Sequence, residues 1–144
     1  MALNPQLPQD LTLEVVTPSG LLLREQVDEV IAPGDEGYFG VLPGHTPFLS
    51  TLGLGEITYR RGTEKGHLTC FWGFAEVLPD RVTILAQTAE KADEIDLARA
   101  ESANKRAEER LAQPAADMDA ERARIALLKA LIRLQVASRA RIRS

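Results

Sequence analysis

No glycine occurs after Gly73 and no aromatic residue after Phe74, so the last seventy residues of this 144-residue chain fold without either. Alanine fills about one position in four of that stretch. Glycine and aromatic residues suit turns and strands, whereas alanine suits helix. The expected organisation is therefore two modules, a sheet domain over residues 1–88 and a helical one over 89–144.

The charge divides in the same way. Residues 1–90 carry five basic and twelve acidic side chains, and residues 91–144 carry twelve and nine. Such a dipole bears on association rather than on fold. Neither half combines strong basicity with the aromatic platforms that single-stranded nucleic acid requires, so nucleic acid is not an expected partner. The apolar runs are far shorter than the ~20 residues of a membrane span, so no direct membrane insertion is expected. The first ten residues have no basic leader or apolar stretch and do not read as a targeting peptide. Cys70 is the single cysteine, which excludes a disulfide framework and a cysteine metal site within the chain. A reducing, aqueous compartment is expected.

From Leu11 onward, short alternating runs are separated by turn residues. Leu11, Leu13 and Val15 share a face, and Thr17-Pro-Ser-Gly20 turns the chain. Further strands are expected over residues 21–24, 28–32, 38–42, 56–61, 67–72, 74–78 and 81–86, which predicts an antiparallel β-sandwich or barrel, the sandwich being the expected form. After Glu90 the apolar period lengthens to that of a helix. Leu97, Ala100, Ala103 or Asn104, Ala107 and Leu111 form one stripe, with Asp96 as its cap. Pro114 interrupts, and a second helix is expected from Asp117 or Asp119 past Val136. Its stripe is read as Ala123, Leu127, Leu131 and Leu134, with Ile125, Leu128 and Ile132 beside it. A short break between helices of similar length predicts an antiparallel α-helical hairpin. Because the first helix offers mainly alanine, little area is buried per contact. Docking of this hairpin is expected to depend on what else it touches.

Catalytic chemistry is hard to assemble from these residues. His45 and His67 are the only histidines, Asp35 and Glu36 sit in a glycine-rich turn, and no Gly-Lys-Ser or Gly-Lys-Thr phosphate loop occurs. No catalytic residue and no metal ligand is assigned. A binding or coupling part is expected.

Three stretches resemble the epsilon subunit of F-type ATP synthases: Val15-Val-Thr-Pro-Ser-Gly20, Gly37-Tyr-Phe-Gly-Val-Leu-Pro-Gly-His-Thr-Pro-Phe48 and Gly73-Phe-Ala-Glu-Val-Leu-Pro-Asp-Arg-Val-Thr-Ile-Leu-Ala86. The resemblance implies a non-catalytic central-stalk subunit whose partners are the gamma subunit, the membrane ring and the alpha and beta head subunits. It implies a peripheral place on the cytoplasmic face of the bacterial inner membrane. The loop from Pro33 to Thr46 would face the ring, with Glu36, Tyr38 and His45 as polar tips. The alternative is that Gly37, Gly40 and Gly44 only shape turns and that His45 caps one of them. The hairpin would inhibit ATP hydrolysis through Arg122, Arg124, Lys129, Arg133, Arg139, Arg141 and Arg143, against the alternative of a solvated helix face and basic tail. Ile95-Asp-Leu-Ala-Arg-Ala100 resembles the signature by which some bacterial members bind ATP. On that resemblance Ile95, Asp96, Arg99 and Ala100, with Glu90, Arg106, Lys129 and Arg133, would hold ATP as a regulatory ligand, no cofactor being required. Lysine at 129, where arginine suits tight binding, implies a weak site. The alternative for Asp96 and Arg99 is ordinary helix construction.

Overall fold

The computed structural model describes residues 8–113 and 119–142, and of Arg141 and Ile142 only the backbone. The chain divides into two compact units, Met1–Ala89 and Glu90–Ser144. The first carries strands β1 (Leu11–Thr17), β2 (Gly20–Val27), β3 (Glu29–Gly34), β4 (Gly37–Val41), β5 (Phe48–Arg61), β6 (Glu64–Leu78) and β7 (Arg81–Lys91), the last of which runs on into the second unit. The second carries a single 3-10 turn (Ala92–Glu94) and helices α1 (Leu97–Ala112) and α2 (Ala120–Ile142). The expected sheet domain followed by two helices is what the structure has.

All seven strands join one sheet in the order β2-β1-β7-β6-β5-β3-β4. Pairing is antiparallel for β1 with β2, β3 with β4 and with β5, and β5 with β6. One pair departs from this pattern: β1 runs parallel to β7, from Thr12 opposite Arg81 to Val16 opposite Leu85. Nothing local marks a parallel pair of strands so far apart in sequence, so it was not legible there.

The sheet folds into a sandwich because its two longest strands change which face they bury. In β6, Leu68 and Cys70 point into the core, then Ala75 and Val77 do so, a shift from even to odd positions. The shift falls at Trp72 and Gly73, whose φ angles are 59° and 149°. In β5 the inward set likewise changes from Leu52 to Ile57 across Gly53 and Gly55. Leu52 lies opposite Gly73 and Gly55 opposite Cys70, so the two bends adjoin in the ladder. Strands that bend in this way pass from one layer of a sandwich to the other. Glycine is required at 73, since a Cβ there would lie 2.1 Å from the Leu85 carbonyl oxygen. The strands expected over 67–72 and 74–78 are one, since the ladder continues through this bend as a strand of 15 residues. The first half of β5 lies outside the expected strands, because Phe48, Leu49 and Thr51 are exposed there and the apolar alternation fails.

The core of this unit is Leu11, Leu13, Val15, Leu23, Val27, Val30, Ala32, Val41, Leu52, Ile57, Leu68, Cys70, Ala75, Val77, Val82, Ile84 and Ala86. Burial pushes the Cys70 thiol up to about 12 from 9.0.

In the second unit Asp96 caps α1, its Oδ1 accepting from the Arg99 backbone N–H at 3.0 Å. Asp119 does the same for α2, accepting from Arg122 N–H at 3.1 Å, while Asp117 and Pro114 lie outside the described residues. The two helices pack on each other. The expected stripe of α2 needs one correction. Leu131 is 46% exposed, and Ala130 is buried in its stead. A helix turning ~100° per residue continues 123 and 127 to 130, 134 and 137, which passes Leu131 by.

Candidate functional site

Three acidic groups gather where the chain enters the helices. Glu90 ends the sheet, Glu94 lies in the 3-10 turn, and Asp96 caps α1 from an extended backbone at φ −76°, ψ 100°. Ile95 joins turn and cap, also extended. One helical turn brings Arg99 and Ala100 onto α1 behind the cap, and two more bring Ala103 and Arg106. From α2, Arg133 reaches back to Glu90, its Nε donating to Oε1 at 2.7 Å with both side chains about one-third exposed.

These residues line a cavity of about 400 Å³, bounded by Glu90, Glu94, Ile95, Asp96, Arg99, Ala100, Ala103, Arg106 and Arg133. Seven of the eight expected nucleotide-binding residues are among them. Lys129, one turn before Arg133, is not in the lining. Glu94 and Ala103 line it as well, outside the expected set. Ala103 was legible only as a stripe position shared with Asn104, and Glu94 sits in a turn that carries no periodic signal. Chemically, the lining sets three guanidinium groups beside three carboxylates. Guanidinium forks suit phosphate oxygens, and the carboxylates suit an exocyclic amine. A volume near the lower end of ordinary ligand pockets accommodates one small ligand.

The loop expected to face a membrane ring is differently built from its reading as three polar tips. Glu36 is exposed, in the two-residue turn joining β3 to β4. Tyr38 is 61% exposed overall, but its hydroxyl accepts from the Glu56 backbone N–H at 3.0 Å. The physical reason is a gap in the ladder. The β3–β5 register shifts between Ile31 and Gly34, an interval that on β5 runs from Leu52 to Thr58 and so includes Glu56. Gly55 makes room, since a Cβ there would meet the Tyr38 oxygen at 2.5 Å. His45 hydrogen-bonds through Nδ1 to the Thr46 carbonyl at 2.6 Å, its backbone N–H donates to Leu42 O at 3.2 Å, and its ring leans on Phe48 at 5.9 Å. Around the loop Leu42, Phe48 and Leu49 are exposed.

A polar cluster that the sequence did not reveal lies further along β5 and β6. Thr58 Oγ1 donates to Glu56 Oε1 at 3.3 Å, and His67 Nδ1 stands 3.4 Å from the same oxygen and 3.2 Å from Thr58 Oγ1. Thr58 and His67 are direct partners in the ladder. Only strand register could have predicted this.

The basic residues of α2 do not form one face. A turn of ~100° per residue puts Arg122, Lys129 and Arg133 along one side and Arg124 nearly opposite. Arg124 pairs with Glu121 at 2.9 Å, and Arg133 with Glu90. The Arg141 side chain and all of Arg143 lie outside the described residues.

Two family models match adjoining stretches that together span residues 10–138. Residues 10–92 match the beta-sandwich domain of the ATP synthase delta/epsilon chain, and residues 93–138 match the long alpha-helix domain of the same chain. The chain belongs to the epsilon-subunit family of F-type ATP synthases. It is 52% identical over 132 residues to ATP synthase epsilon chain 2 of Syntrophotalea carbinolica, covering 91% of this chain and 96% of that one. It is 51% identical over 131 residues to the ATP synthase epsilon chain of Syntrophobacter fumaroxidans, covering 91% and 98%. Among solved structures it resembles a chain of the Euglena gracilis mitochondrial ATP synthase OSCP/F1/c-ring assembly, with TM-score 0.68 and 21% identity over 99% of this chain and 86% of that chain. A chain of the Tetrahymena thermophila mitochondrial ATP synthase central stalk and c-ring gives TM-score 0.56 at 15% identity, covering 92% and 96%. Among the described residues no helix is long and apolar enough to cross a membrane.

Proposed function

We propose that this chain is a non-catalytic rotor subunit that couples gamma to the membrane ring and restrains ATP hydrolysis by the alpha and beta head through its C-terminal helices. The observation that carries this reading is the correspondence of two structural units with two family domains, one acidic, the other alanine-rich and basic. In this reading the sandwich holds the subunit to gamma and the ring, with Glu36 as the exposed acid of the ring-facing loop. The helices supply basic charge to the head from Arg122, Arg124, Lys129, Arg133, Arg139 and Arg141. The subunit sits peripherally on the cytoplasmic face of the bacterial membrane as part of the synthase. Ending the chain after Ala92 in the assembled complex is expected to raise ATP hydrolysis. Unchanged hydrolysis would remove the inhibitory role and leave the stalk role standing.

A second reading concerns ligand sensing, and the cavity at the start of the helices favours it. Arg99 and Arg106 are placed to take phosphate, Asp96 and Glu90 to take an adenine amine, and Arg133 to exchange Glu90 for a ligand oxygen. Because Lys129 is not in the lining and Arg133 is already paired, binding should be weak. Titration calorimetry of the whole chain with ATP is expected to give a signal that Arg106→Ala diminishes. Silence at millimolar ATP would dismiss this reading.

A further inference from the structure

We propose that Asn104 sets how readily the two helices of the C-terminal unit part, as a weak point built into their closed pairing. Asn104 lies on α1 between Ala100 and Ala107, both of which are buried. Its Oδ1 is buried and has no hydrogen-bond partner, the one side-chain nitrogen or oxygen in that condition among the described residues. A buried acceptor without a donor forfeits its hydration and gains nothing in return. Water restores the lost bond once the helices separate, so the oxygen favours the open state over the closed one.

The surroundings leave that penalty poorly offset. The buried residues of α1 are Ala100 and Ala107, seven apart, and those of α2 are Ala123, Ala130 and Ala137, again at intervals of seven, with Ile132 and Val136 as the two larger ones. Alanine buries the least apolar area of any side chain suited to such a seam. Leu128 and Leu131, which would bury far more, are 45% and 46% exposed. A polar residue within an apolar helix seam is a known means of setting pairing at the cost of stability. Here the cost is not relieved by a partner, which distinguishes Asn104 from a satisfied register pin. In its use, though not in its local physics, this inference rests on the proposed inhibitory movement of the helices.

The test is amide hydrogen exchange on the full chain. Asn104→Leu, with the same branching of side-chain heavy atoms, and the smaller Asn104→Ala both delete the unpaired acceptor, while Ser102→Ala on the exposed side of α1 controls for helix propensity. Exchange of α1 and α2 amides is expected to slow about tenfold in Asn104→Leu and by more than in Ser102→Ala in at least one apolar variant, with sandwich amides unchanged as the internal reference. Asn104→Asp at neutral pH is expected to speed it. If neither apolar variant slows exchange beyond Ser102→Ala, the proposal is overturned. The assembled complex then separates the two ideas. Slower exchange with raised ATP hydrolysis supports both, whereas slower exchange with hydrolysis unchanged keeps the role of Asn104 and overturns the inhibitory movement.

Discussion

Cys70 shows how far a single residue's behaviour follows from its place in the fold. Alternation in β6 already made it a buried small hydrophobe, and the structure adds a thiol raised to about 12 by desolvation. The neutral form is therefore favoured in the folded chain. Below 9.0 both folded and unfolded chains keep the proton and the group has no effect on stability relative to that reference. As pH rises above it the unfolded chain loses the proton first, so folding stability declines. Alkylation of the native protein at pH 8 is expected to be negligible, and to become fast only in denaturant, as followed by mass spectrometry. Tyr38 teaches the opposite lesson. An exposed tyrosine in a glycine-rich loop reads as a contact residue, yet its hydroxyl is taken by a backbone N–H eighteen residues away. No local pattern announces a bond of that kind, because it depends on the register shift beside Pro33.

Among the elements, helix α1 was the most legible. Its start depends on Asp96 and its first turn alone, so the sequence carried both position and cause. Replacing Asp96 by Ala is expected to destabilise the helical unit by about 0.5–2 kcal/mol, whereas Asn should retain most of the cap. Thermal melting followed by circular dichroism distinguishes them, and equal losses in both variants would mean that the carboxylate does more than cap. Strand β5 was the least legible. Its first half exposes apolar residues and its middle holds two glycines, so neither alternation nor propensity marks it as strand. Pairing with β6 along the whole length makes it one. Helix α2 falls between these cases: its existence was plain, but choosing Leu131 over Ala130 for the buried stripe favoured side-chain size over helical geometry.

For the whole molecule, the first unit should be self-sufficient. Its core cluster draws only on residues from Leu11 to Ala86, and all seven of its strands share one sheet. A chain ending after Ala92 is expected to melt in a single cooperative transition, by calorimetry, with the sandwich intact. Broad, uncooperative melting would mean that the sandwich needs the helices to fold. The sequence by itself determined the two-part organisation, the helix starts and most of the residues that line the helical cavity. The two-part organisation and the helix starts rest on residues close together in the chain, through composition and capping, whereas the lining residues came from the family resemblance and include Glu90 and Arg133, which are 43 residues apart. Only the tertiary structure decided the parallel pairing of β1 with β7, the bend at Trp72 and Gly73, the duty of Tyr38 and the unpaired oxygen of Asn104. These depend on partners brought together by register and packing, which no short stretch of sequence contains.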